Sequence, residues 1–278
     1  PGHLTLNGGT LLTTATFTMS ANRGIALSGT PTFSSNTGTT LTYAGVIAGT
    51  GTLTKAGVGG LTLSGANTYS GATTISAGTL TINADARLGT APGLATPGHL
   101  TFNGGTLATT ATFTLDANRG IALTGNGTIA VNASTVVTYG GVIAGTGDLT
   151  KTVTGTLTLT GANTYDGTTT VSAGVLNIQH DTALGSTAGG TSVTSGAALQ
   201  LQGDITVGAE TLTLNGTGVS TTGALRNISG TNTFGGAITL GAAARINSDA
   251  GTLTLTGGID NGGFLLTVGG AGAATMST

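Results

Sequence analysis

Chemistry would have to start from ionisable side chains, and this chain has few of them: nine Asp and Glu, seven Lys and Arg, three His and no Cys in 278 residues. Cleaving a polysaccharide on a scaffold of stacked strands needs carboxylates clustered on one face, often beside Lys or Arg. Here the acids are dispersed. Asp148 and Asp166 stand nearly one coil apart and could stack, but one repeat earlier the same positions hold Thr52 and Ser70. A catalytic pair would then exist in one copy only, so no catalytic residues are assigned.

Metal and cofactor chemistry fares no better. His3 and His99 recur at one repeat spacing, which puts them several coils apart and prevents them from sharing an ion. His180 and Asp181 are adjacent and read as a solvated turn. Residues 145–149, GTGDL, carry a fragment of the calcium-binding glycine and aspartate repeat, without its full G-G-x-G-x-D pattern and with Thr52 where Asp148 stands. No metal site and no cofactor is expected. Absence of Cys removes disulfides and thiolate sites. A net charge of -2 gives no footprint for nucleic acid. Gly and Thr interrupt every apolar run well before the ~18 residues of a spanning helix, so no transmembrane helix is expected.

The candidate residues that do recur belong to a phrase: SGANTYSG at 64–71, TGANTYDG at 160–167 and SGTNTFGG at 229–236. Asn67, Asn163 and Asn232 read as turn residues, because Asn tolerates a left-handed backbone and bonds neighbouring amides. Tyr69, Tyr165 and Phe234 occupy one position. The exchange of Tyr for Phe favours ring packing over sugar stacking or a role for the hydroxyl. Arg23 with Arg119, and Lys55 with Lys151, recur at the repeat spacing and are expected to be outward, solvated cations that discourage lateral pairing.

The elements that must position these residues are short. Runs such as Leu61-Thr-Leu and Leu80-Thr-Ile alternate, Leu to one face and Thr to the other, between Gly-containing turns. With 52 Gly, 63 Thr and 4% aromatic residues, a thin aliphatic core held by backbone hydrogen bonds is the available solution. PGHLTLNGGT at 1–10 returns as PGHLTFNGGT at 97–106, and the match runs ungapped through ANRGIAL and GVIAGTG to LTK, a period of 96 residues. A third, divergent copy has lost roughly 22 residues between two landmarks, and a stack should lose whole coils. Coils of ~22 residues give about twelve turns and a rod on the order of 60 Å.

The phrases at 53–80 and 149–176, with ALGS at 183–186, resemble the autotransporter-associated β-strand repeat of bacterial passenger domains and large secreted surface proteins. What the resemblance implies is an all-β, right-handed parallel β-helix (β-solenoid) at the bacterial cell surface. The expected organisation is repeat 1 at 1–96, repeat 2 at 97–192 and a shorter repeat 3 at 193–278, in one continuous solenoid. Pro1 opening straight into the repeat, and Phe264-Leu-Leu-Thr-Val reading as core strand, lead to the expectation that this is a fragment whose ends meet further coils, of the same chain or in a filament. The function expected is an extracellular rod, stalk or filament segment. The alternatives are an adhesin that binds glycan or another surface directly, and an ice-binding Thr array. The last is disfavoured because the TxT phrases recur once per long repeat instead of once per coil.

Overall fold

A computed structural model describes residues 4–276, so His3 lies outside the described residues. The chain folds as a β-solenoid of about twelve turns of about 22 residues, all-β with parallel strands. Ile25 pairs with Ile47, Leu41 with Leu61 and Leu107 with Ile129, each on the next turn and all in parallel register. Separations vary with corner length, from Leu61 to Leu80 up to Leu80 to Leu107. Among the described residues no α-helix occurs, and the two short 3-10 turns, Asp85–Leu88 and Val219–Thr221, sit at corners.

Three faces make up each turn. The first begins with strands Leu4–Asn7, Ile25–Ser28 and Ile47–Gly49. The second begins with Thr10–Thr13, Thr32–Ser35 and Leu53–Ala56. The third begins with Phe17–Met19, Thr40–Tyr43 and Gly60–Leu63. Alternation does the sorting: Leu61 and Leu63 are buried and Thr62 between them is not. Each such aliphatic side chain contributes about 1.5–3 kcal/mol by leaving water.

Equivalent strands of successive long repeats fall on different faces. At about 22 residues per turn, 96 residues is four turns and about a third. Accordingly Thr96–Phe102, the counterpart of Leu4–Asn7, stacks on Thr73–Ile75 of the second face. Thr106–Thr109, the counterpart of Thr10–Thr13, stacks on Thr79–Ile82 of the third. These strands of the second long repeat are therefore stepped round the solenoid by one face relative to the first.

Two sequence expectations change here. The NTY phrase is not a turn between strands: residues 67–69 form the first-face segment of a turn whose other faces carry Gly60–Leu63 and Thr73–Ile75. In the third copy the phrase is a strand, Thr231–Phe234. Near the end, Leu266–Gly269 does pair with the preceding turn, but Phe264 and Leu265 lie in the corner ahead of it and are exposed, as is Val268 on the last rungs. Only Leu266 of that stretch leans on the core.

Candidate functional site

Among the described residues, the fold builds from its unusual side chains a set of buried polar clasps between turns. Asn67 is the simplest. Its Oδ1 accepts the Ile47 N–H of the turn before (2.9 Å), and its Nδ2 donates to the Arg87 carbonyl of the turn after (2.6 Å). Asn163 repeats this with Ile143 (2.8 Å) and Ala183 (2.7 Å). A side-chain amide thus replaces a peptide group in the ladder. Asn232 accepts from Ile205 N–H (2.8 Å) but turns its NH2 to Ser229 O (2.8 Å) and to Asn227 within its own turn. None of the three has a positive φ, so the left-handed backbone expected of them is not adopted. The corner before Asn67 needs Gly for space, because a Cβ on Gly65 would lie 1.9 Å from the Gly45 carbonyl oxygen.

Tyr69 and Tyr165 are fully buried, and so is Phe234. The Tyr hydroxyls are committed: Tyr69 shares a hydrogen bond with Thr73 Oγ1 (2.7 Å) and Tyr165 with Thr169 Oγ1 (2.6 Å). Burial pushes the Tyr69 hydroxyl up to about 12. In the third copy Phe234 faces the position of Ile238, where the others have Thr, so both members of the pair become apolar together. The Tyr to Phe exchange therefore does not make the hydroxyl idle; its partner changes with it.

The cations correct a plainer error. Lys55, Lys151 and Arg119 are buried, and only Arg23 of the expected four is exposed. Lys55 occupies an inward position between Phe33 and Ile75. Its ammonium donates to the carbonyls of Ala56 (2.6 Å), Gly57 (2.8 Å) and Ala77 (3.2 Å). Lys151 donates likewise to Thr152 (2.8 Å), Val153 (2.7 Å) and Ala173 (3.1 Å). Three donors meet three acceptors, and the stem packs in the core. Burial pushes both amines down to about 8. At the position of Gly57 (φ +67) repeat 2 has Val153, held at φ +62.

Arg119 makes a denser clasp at the junction of the first two long repeats. Its Nε and one terminal nitrogen grip both oxygens of Asp85 (2.8 and 3.0 Å). The remaining donors reach Leu88 O (2.9 Å), Gly89 O (2.6 Å) and His99 Nδ1 (3.4 Å). All five guanidinium hydrogens are used. Burial and the neighbouring guanidinium hold the His99 imidazole below its usual range, consistent with a neutral ring accepting from Arg119.

The third copy puts Glu210 where the other copies have Arg, just ahead of the strand Leu212–Gly216. It is 3% exposed; Oε1 accepts from Thr191 Oγ1 (2.9 Å) and Oε2 has no partner. Burial pushes its carboxyl up to about 7. Sequence reasoning passed over this residue, and the signal was an acid in a stretch aligned with ANRGIAL.

The other acids are scattered. Asp148 Oδ1 accepts the N–H (2.8 Å) and hydroxyl (2.9 Å) of Thr168 on the next turn, and Asp166 accepts from Ser186 Oγ (2.7 Å), so the two carboxylates do not meet. His180 Nδ1 takes the Thr182 N–H (3.2 Å), and Asp181 takes that of Thr206 (2.7 Å). Arg226 pairs with Asp249, and Asn247 with the same carboxylate (2.6 Å), on an outer face of the third copy.

The two turns that hold the Lys cage and the Tyr–Thr pair are also the ones that known proteins share. Residues 53–82 and 149–178 each match the passenger-associated-transport-repeat family. Those two stretches are passenger-type repeats. A 78-residue stretch is 46% identical to the adhesin BmaC autotransporter of Brucella suis biovar 1 (strain 1330), covering 28% of this chain and 2% of that relative. No solved structure matches the chain. Each matched stretch contains one buried lysine and one Tyr–Thr pair, Lys55 with Tyr69 and Lys151 with Tyr165.

Proposed function

We propose that this chain is a non-enzymatic shaft of a secreted or surface-exposed bacterial protein, a rigid rod that sets the distance between an anchor and a function held elsewhere in the polypeptide. The observation that carries it is the unbroken stack: parallel register runs from Leu4 to Met276 through turn after turn, and the buried ionisable groups are spent on joining turns. A stack of this kind transmits position and adds length in proportion to the number of turns. The passenger repeats and the similarity to an adhesin autotransporter support the surface location. End-to-end continuation into further coils fits the same reading. Among the described residues no helix is long and apolar enough to cross a membrane.

The test is an exchange in the parent protein. Replacing these 278 residues by an unrelated solenoid of equal length should leave the outer part displayed and active, whereas deleting 97–192 should bring it closer to the cell. Loss of activity on the equal-length exchange, with display intact, would assign the function to this segment's own surface.

A further inference from the structure

The outward side of the third face carries a row of hydroxyls that joining the turns does not require. Thr79, Thr106, Thr128, Thr150 and Thr170 stand one above another on successive turns. The row continues through Ser192, Thr213 and Thr239. Eight consecutive turns thus present a hydroxyl at one point of the pleat, with a rung spacing of about 4.8 Å. All are half-buried or exposed, and among the described residues none of the eight hydroxyls makes a hydrogen bond to the protein. Two residues further along the same strands the polar groups are already used: Thr194 donates to the Val171 and Ser172 carbonyls, and Asn215 to Val193.

Strand preference explains Thr at any single rung. It does not explain persistence into the third copy, where most of the repeat sequence has diverged. On the first face, those same turns exchange Thr158 for Asn177, Gln200, Arg226 and Asn247 in the outward row. The sequence hides the hydroxyl row because the second long repeat is stepped by one face relative to the first. Thr79 ends the row's share of one repeat and Thr106 begins the next, from phrases that do not look alike.

Shape and charge select the ligand. The row itself is uncharged; Asp148 borders it at the corner before Thr150, with Oδ1 occupied by Thr168, and Asp260 follows Thr239 at the next rung. The parallel outward row reads Thr81, Ala108, Ala130, Thr152, Ser172 and Thr194, irregular in size and bonding, so the regularity runs in one dimension. A crystal plane such as ice needs order in two. We propose that the row is a docking track for a neutral polysaccharide chain lying along the solenoid axis. A sugar in an extended β-linked chain advances by close to one rung, so successive sugars meet successive methyls and free hydroxyls. Each contact is weak, and affinity accumulates with the number engaged together. The proposal goes beyond the shaft and does not rest on it.

Retention of the 278-residue chain on amorphous cellulose, chitin and mannan, with titration of their soluble oligomers, tests it. At least one polymer should retain the chain, and oligomers of about six to eight sugars should bind at least about tenfold more tightly than the disaccharide. Replacing Thr128, Thr150 and Thr170 together by Val removes three hydroxyls at constant shape and should weaken binding at least about tenfold. Thr114→Val with Thr138→Val, on the first face, should leave it unchanged. If the triple variant loses its circular dichroism signal, the single variants Thr128→Val and Thr150→Val serve, each with an expected loss of about threefold. Retention on none of the polymers overturns the proposal, as does equal binding by folded Val variants. Inhibition of ice growth without polysaccharide binding also overturns it and reassigns the row to ice.

Discussion

Tyr69 and Thr73 share one buried hydrogen bond, and Phe234 with Ile238 shows what the fold accepts in its place. Tyr69→Phe alone leaves the Thr73 hydroxyl buried without its partner and should cost about 1–2 kcal/mol in urea unfolding. Adding Thr73→Val should recover most of that, a coupling readable from the double-mutant cycle. Val153 gives the opposite case: its φ of +62 is one that a β-branched residue resists, so Val153→Gly should stabilise the chain by about 1 kcal/mol despite Gly's entropy. Glu210 sets a pH dependence. Its folded carboxyl titrates near 7 against an ordinary 4.5, so between those values the folded state keeps a proton that the unfolded chain has lost. Stability from this group is full below pH 4.5 and falls as pH rises through about 7; Glu210→Gln should flatten that slope in thermal melts. At this scale the inward Leu and outward Thr were legible, because they alternate locally. The burial of Lys55 was not legible, because an ammonium is welcome in the core only where the Ala77 carbonyl, 22 residues on, completes its cage.

Between elements, the clasp around Arg119 holds one long repeat to the next. Arg119→Ala would strand the Asp85 carboxylate and the Leu88 and Gly89 carbonyls, and should destabilise by about 3 kcal/mol. Arg23→Ala, at the equivalent and exposed position, should change stability by less than about 0.5 kcal/mol. Equal effects, measured by the shift in urea midpoint, would show that the clasp does not join the repeats. The recurrence of both arginines was visible in the sequence. Their different surroundings were not, since the carboxylate and carbonyls that receive Arg119 come from the corner at 85–89, 30 to 34 residues earlier.

For the whole molecule, the 22-residue turn was legible from the shortened third copy, and parallel stacking from the resemblance of 53–80 and 149–176 to a passenger repeat. The step of one face between the first two long repeats was not legible, because it depends on a fraction of a turn summed over corners of unequal length, such as those between Leu61 and Leu80 and between Leu80 and Leu107. That step decides which residues share a face, and therefore whether Thr79 and Thr239 belong to one continuous row. Spin labels on cysteines replacing these two residues, 160 positions apart in sequence, measure it directly by dipolar spectroscopy. Seven rungs at about 4.8 Å place them on one face with a narrow distribution centred at about 34 Å. A broad distribution, or a distance beyond about 45 Å, would contradict in-register stacking over the eight turns that the shaft and its hydroxyl row both require.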